Sequence, residues 1–567
     1  MMKRISILLI VSATMLALSS CLDEHPKDQL DQDKIYTTAS DIYINAVASL
    51  YNYIGGCNES EGIQGTCRGI YDYNTLTTDE AVIPIRGGDW YDGGLWNAMY
   101  QHKWTATDEP LYDTWKYIYK VIALCNRSLD VIDEHSEGGS SNPVLSKELR
   151  DEYNAEVRAI RALMYYEAMD MFGRVPLVKS THETLAAQVD VTHTAANNLP
   201  VQSKRSEVFW FIFNELTSVY PDLPSAKSNL EGEYYGRLTR PVAYFLLAKL
   251  ALNAEIYTYD DWSHGYENRP KGKDIYFTVL DKPMNAWETC LYYCECLYPY
   301  GYVLEPNYST NFSTHNETSR ENIFTIPMDK NIYTNQFHYL FRSYHYSHGG
   351  VYGWGSENGT CATISTMRAN HWGEYDMDNR AMTNFVAGEV WVDNKQVMMD
   401  NGKPLMYQPF EVKQNLTNSP YVKTAGARMK KYEVDRTSYM DGKLQSNDIV
   451  LFRYADVLLM EAEAKLRNGG YEGDGTSELN FVRERAGMPD RQSTLDNILE
   501  ERLLEFVWEG CRRQDLIRFG KFTGAYDLRE PLPGEESGYT TVFPIPQKCL
   551  DLNKNLKQNP GYERQRQ

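Results

Sequence analysis

Along residues 115–132 apolar side chains return at alternating steps of three and four: Trp115, Ile118, Ile122, Cys125, Leu129 and Ile132. That spacing lays one apolar stripe along a helix, which Pro110 opens. The same period predicts a helix capped by Ser40 and running through Ile54, with Ile42, Ala46, Leu50 and Tyr53 inward and Gly55-Gly56 as its stop. Further helices are predicted over about 146–172, 206–220, 239–257 and 285–297. In the first of these, Ala155, Ala159 and Ala162 stand beside Arg158, Arg161 and Tyr165, small residues that admit a neighbouring helix closely. The period fades from Gly301 to Lys443, a stretch rich in Gly, Tyr, Asn and Thr with strand-like pieces such as 323–326. It returns over Tyr454 to Arg467, Thr476 to Ala486 and Thr494 to Trp508. Short helix pairs with alternating small and large residues predict tetratricopeptide-like packing. The expectation is a mainly α fold in one globular unit, residues 41–567. Its helix-pair scaffold covers about 41–300 and 447–520, and an irregular insert covers about 301–446.

The chain opens differently. Lys3 and Arg4 precede an apolar run from Ile5 to Leu18, and Leu18-Ser19-Ser20-Cys21 follows. A charged start, a short apolar stretch and small residues before a cysteine read as a secretory signal over residues 1–20. The run is shorter than the ~20 residues that span a bilayer. Leu-Ser-Ser-Cys looks like a bacterial lipobox, with Cys21 as the lipidated residue and 21–40 as a polar tether. Cleavage there leaves 547 residues and moves the net charge from −20 to −22. So acidic a chain disfavours nucleic acid, which needs basic surface.

One stretch has no period at all. Thr78 to Trp104 holds Trp90, Trp96, Trp104, Tyr91 and Tyr100 with Gly87-Gly88, Gly93-Gly94, Arg86 and several carboxylates. Rings on a glycine-broken loop beside hydrogen-bonding side chains suit a flat, hydroxyl-rich ligand. An indole covers the apolar C–H face of a sugar, while Arg86, Asp89 or Asp92 bonds to its polar rim. Trp90 and Trp96 are the leading stacking residues, with Tyr91 beside them. Tyr352 and Trp354 lie in a second Gly- and Tyr-rich concentration, 344–372, and are candidates for an opposite wall.

Motifs of catalysis are absent: no H-E-x-x-H, no G-x-S-x-G, no phosphate-binding loop. Asp79, Glu80, Asp89 and Asp92 are more simply hydrogen-bonders than a glycosidase pair. Nothing calls for a cofactor. Nine cysteines remain after Cys21, an odd number, so no disulfide framework is expected; the pairing of Cys57 with Cys67 across a Gly-rich loop stays open. Cys290, Cys294 and Cys296 lack zinc spacing, and Glu472, Asp474 and Glu478 lack EF-hand spacing, so no metal is assigned.

Several ordered stretches then carry a resemblance: the lipobox at Cys21, AEVRAIRALMYY…FGRVPL over 155–177, GRLTRP over 236–241, ADVLLMEAEAKLRNGG from Ala455, and ELNFVRERAG from Glu478. The block from Glu501-Arg502 to Glu509-Gly-Cys-Arg-Arg-Gln-Asp-Leu516 is the most specific, and 543–546 and 558–562 close the series. Over essentially its whole length the chain resembles the SusD/RagB family of Bacteroidetes outer-membrane lipoproteins. Phe519 stands where the family often has Trp. The resemblance implies four tetratricopeptide-like pairs with an irregular, ligand-facing half. It also implies attachment to the outer membrane facing outward and a SusC-like TonB-dependent barrel as partner. A glycan is the implied cargo, with peptide in some branches, and no enzymatic activity. Arg158, Arg161, Glu501, Arg502, Glu509 and Arg513 would be structural ion pairs. The loop after Thr78-Asp79-Glu80 and the Trp354 region fall where starch-binding members present aromatics.

Overall fold

A computed structural model describes residues 35–140, 142–181, 199–469, 471 and 473–563. Cys21 and the signal-like stretch lie outside them. Helices of seven residues or more carry the fold: α1 Ile70–Leu76, α2 Glu109–Glu134, α3 Lys147–Phe172, α4 Arg205–Val219, α5 Arg240–Leu252, α6 Ala286–Glu295, α7 Tyr454–Gly469, α8 Thr476–Arg485, α9 Leu495–Phe506 and α10 Arg512–Arg518. Their starts follow capping chemistry. Ser146 accepts the Leu149 N–H, Thr494 accepts that of Asn497, and Asn285 with Glu288 closes a capping box on α6.

Two expected boundaries move. Before α1 the chain is helical over 39–51, and its cap is Thr38 rather than Ser40. Thr38 and Asp41 bond reciprocally, which Ser40, two residues too late, cannot do. The helix expected over 239–257 breaks at Asn253, whose side chain bonds to the Lys249 carbonyl; a short turn, Ala254–Tyr257, follows.

Helices stack in series, α2 on α3, α3 on α4, α4 on α5, α5 on α6, α6 on α7, and α7 on α8 and α9. In α3 every residue from Ala159 to Phe172 is buried, so the alanines there are what let α2 and α4 close in from two sides. The chain leaves the stack after Glu295 and returns at Tyr454 directly against α6. The excursion closes on a ladder, Asn322–Ile326 (β2, with β1 at Ala81–Val82) against Ile449–Arg453 (β4, with β3 at Cys361–Ala362). One core cluster reaches from Ile42 to Tyr562.

Buried ion pairs rivet the elements together. Arg158 and Arg161 both meet Glu215 of α4 at 2.7 Å, and Arg513 meets Asp170 of α3 at 2.7 Å. Arg502 bridges Asp456 and Asp515, Glu501 joins Arg380 to Arg483, and Glu509 joins Arg453 to Lys431. The six family-type charges are thus all structural. Where both partners are buried and the acid has one cation, as in Arg513–Asp170, breaking the pair leaves a charge uncompensated, at a cost of about 3–5 kcal/mol.

Cys57 and Cys67 are both free thiols. Cys67 is buried, its Sγ 3.7 Å from Glu59 Oε1, and burial pushes its pKa up to about 12. Cys290 and Cys294 share the buried face of α6, and Cys296 leaves it half-buried.

Candidate ligand-binding surface

The two aromatic concentrations, far apart in sequence, are tied at their roots. β1 pairs antiparallel with β3, Ala81 opposite Ala362 and Val82 opposite Cys361. A third strip joins alongside, where Ile85 N–H donates to Gln414 O at 2.9 Å and Leu416 N–H to Ile85 O at 2.8 Å. Beneath the ladder the scaffold grips the loop directly. Arg512 holds Asp79 through two bonds of 2.7 Å, and the Trp508 N–H donates to Glu80 at 2.7 Å. The most specific sequence block therefore fixes the base of the least regular loop.

Arg86 is fully buried, and its guanidinium donates to the carbonyls of Val422, Gly359 and Ala425. It staples three loops together and is not a rim donor; burial and the nearby Arg428 push its pKa down. Trp96 is only 2% exposed and donates to Asp92 at 2.7 Å, while Arg68 takes the same Asp92 carboxylate at 3.0 Å. Trp90 is half-buried. Its Nε1 donates to Glu357 O at 2.8 Å, its ring meets Trp96 edge-on at 5.8 Å, and Gly359 leaves the room its benzo ring occupies. Trp90 has φ of +62°, a conformation costly for a bulky side chain. Trp354 is buried at 5% exposure, donates to Ser438, and packs over Gly442 beside a half-buried Tyr352 at 5.2 Å. The tryptophans thus brace the loops from within.

What faces outward is mostly tyrosine and charge. Tyr91 is 59% exposed. Asp89 accepts from Lys423 Nζ at 2.5 Å and from the Tyr346 hydroxyl at 2.7 Å. Those two bonds hold its carboxyl below the usual range, and burial with the same contact raises Tyr346 to about 12. On the strip that leads to Lys423 a hollow of about 410 Å³ is lined by Glu411, Lys413, Asn415, Thr417, Ser419 and Tyr421, donors and acceptors of the kind that hydroxyl groups satisfy. The sequence placed Tyr346 in the second aromatic concentration, but Lys423 and this hollow were not reached, because nothing local links them to the loop. A larger cavity, about 960 Å³, lies elsewhere, between α2 and the C-terminal helix Gln547–Leu552. Its rim includes Thr181 and Leu199, which border residues outside the described ones.

The four carboxylates weighed as catalysts are all engaged: Asp79 by Arg512, Glu80 by Trp508, Asp89 by Lys423, Asp92 by Trp96 and Arg68. Among the described residues one group, His371, Glu374 and Asp376, carries ligand-type atoms within 4.8 Å of one another; His371 and Asp376 pair at 3.0 Å in solvent. Of the acidic residues near Gly473, Glu478 is taken by Lys465 at 2.6 Å and Glu472 lies outside the described residues.

A helix-pair scaffold thus presents an aromatic surface whose tryptophans and nearby carboxylates are engaged within the protein. The chain belongs to the SusD/RagB family: the SusD family model matches residues 320–562, and a second, described as starch-binding and associating with the outer membrane, matches 66–252. It is 24% identical to the starch-binding protein SusD of Bacteroides thetaiotaomicron over 550 residues, covering 89% of this chain and 87% of that one. It is 25% identical to SusD-like protein P25 of Formosa agariphila, covering 79% of each. The fold is that of surface glycan-binding protein A from Bacteroides thetaiotaomicron, with a TM-score of 0.66, 21% identity, and coverage of 93% of this chain and 100% of that one. A laminarin-binding SusD-like protein superposes with a TM-score of 0.64 at 18% identity, covering 93% and 100%. The family comprises binding proteins without catalytic activity.

Proposed function

We propose that this protein captures a glycan at the surface formed by residues 86–92, 344–357 and 411–425 and passes it to a SusC-like TonB-dependent barrel. On this reading it is held at the outer face of the outer membrane through lipid on Cys21. The observation that carries the reading is the convergence of both aromatic loops on one surface, where Tyr91 and Tyr346 are exposed and Asp89 and Lys423 partly so, the strip that carries Lys423 also lining a polar hollow. Exposed rings supply faces for sugar C–H groups, and the fixed carboxylate, ammonium and amides read hydroxyls. Relatives named for starch, laminarin and surface glycan binding support the ligand class.

Affinity electrophoresis of the chain from residue 22 onward, in gels containing starch, laminarin, xylan, mannan or pectin, tests this. At least one polysaccharide should retard the wild type. Tyr91→Ala with Tyr346→Ala should weaken that retardation about tenfold, the loss of two stacking contacts. Absence of retardation in every gel, or an unaffected double variant, would refute the assignment. Peptides that co-purify in place of sugars would transfer the same surface to a peptide cargo.

A further inference from the structure

An exposed tryptophan on the insert has no part in the surface just described. Residues 388–407 form a small ribbon whose strands are Gly388–Glu389, Trp391–Val392, Lys395–Gln396 and Met406–Tyr407. Trp391 faces Gln396 across one ladder, and Met406 faces Glu389 across another. Val390, Val392, Val397, Leu405 and Tyr407 point inward and make a core of their own, against which Tyr352 packs. The opposite face carries Glu389, Trp391, Met398 and Met406, all exposed, with Trp391 at 55%. Strand alternation requires every second residue to point away from the core, but it does not require that residue to be an indole.

Three features make this face a platform and not stray apolar surface. The indole is fixed: Nε1 donates to Glu389 Oε2 at 3.2 Å, so the ring edge is engaged and a face stays in solvent. Polar groups flank it, with the Glu389 carboxylate two residues before it and the Gln396 amide across the ladder. The ribbon is also anchored to the main surface. Arg436 pairs with Asp393, two residues beyond Trp391, at 2.9 and 3.0 Å, and lies 4.8 Å over the Tyr352 ring. A flat ring with a polar rim, preset in orientation, matches a pyranose: the C–H face against the indole, the equatorial hydroxyls to carboxylate and amide.

We infer that Trp391, with Glu389 and Gln396, forms a second glycan platform that holds another stretch of the same polysaccharide bound at the Tyr91–Tyr346 surface. The inference rests on the glycan reading above. Each platform alone binds weakly, and a chain long enough to touch both gains through effective concentration. A short oligosaccharide engages only one.

The test compares wild type, Trp391→Ala, Trp391→Phe and the Tyr91→Ala/Tyr346→Ala double variant. Each is measured against the polysaccharide that retards the wild type and against its hexasaccharide by calorimetry. Trp391→Ala should weaken polysaccharide binding about five- to tenfold while hexasaccharide affinity stays within about twofold, the signature of a lost second contact. Trp391→Phe should recover part of the loss, since a smaller ring still stacks. An unchanged thermal midpoint checks that so exposed a substitution leaves the fold intact. Equal binding of polysaccharide by Trp391→Ala and wild type overturns the second platform and leaves the glycan reading standing. The platform also fails if Trp391→Ala leaves polysaccharide binding intact but weakens capture of a co-expressed barrel, which would make this face a protein contact. No retardation of the wild type by any polysaccharide overturns both.

Discussion

At the scale of single residues, the surface is governed by side chains that ligand does not touch. Gly359 is one: a Cβ there would stand 2.5 Å from Trp90. Gly359→Ala should expel the indole, break its bond to Glu357, and cost about 1–3 kcal/mol by overpacking. A red-shifted tryptophan emission with a lowered urea midpoint is the expected result, and unchanged emission would contradict it. Glu80 and Glu167 set a pH dependence. Burial raises each carboxyl to about 8 from its ordinary value of 4.5. Folding thus favours their protonated forms; that contribution is complete below pH 4.5 and is withdrawn as pH rises through 8. Urea midpoints should fall between pH 6 and pH 8, and Glu80→Gln or Glu167→Gln should flatten the fall. Parallel curves for variants and wild type would rule these groups out. Little of this was legible beforehand. The sequence marked the loop by its rings and glycines, yet Arg86 is interior because carbonyls hundreds of residues away receive it, Trp354 because it packs over Gly442, and Trp96 with its Nε1 turned back to Asp92.

At the scale of elements, the scaffold was readable and the insert was not, for one physical reason. Helices announce themselves through contacts within four residues, so α2, α3, α7, α8 and α9 lie within two residues of the limits that periodicity predicts. The insert is held by distant partners: the strand-like 323–326 was visible, but its mate at 449–453 was not. Its strongest attachment is equally hidden. Arg380 is enclosed by Asp378, Glu501 and Glu505, the last two on α9. Arg380→Ala strands the buried Asp378 and takes one cation each from Glu501 and Glu505, which keep Arg483 and Arg453, and a loss of about 3–5 kcal/mol is expected. Hydrogen exchange should locate it, with amides of 378–386 and α9 losing protection together; loss confined to 378–386 would mean that α9 does not depend on the pair.

At the scale of the whole molecule, a net charge of −20 coexists with ion pairs that are largely internal. Screening acts on exposed charges beyond a Debye length of about 10 Å at 0.1 M salt and reaches buried pairs far less. Raising sodium chloride from about 0.05 to 0.5 M should therefore move the thermal midpoint little. Binding of a neutral glycan should be equally indifferent to salt, because no counterions are released. A charged peptide cargo would lose affinity steeply over the same range, so one salt titration separates the two cargo classes.

The excursion between α6 and α7 has one more consequence. Its ends lie side by side against the stack, so the entropic cost of closing it grows only as the logarithm of its length. Additions or deletions beyond the anchors at Arg380, Lys431 and Arg453 change that cost by tenths of a kcal/mol, while the stack beneath keeps its register. Such an architecture can exchange its outer loops the way a handle accepts different blades. Ribbons such as 388–407 are where a lineage could change what it holds without relearning how to fold.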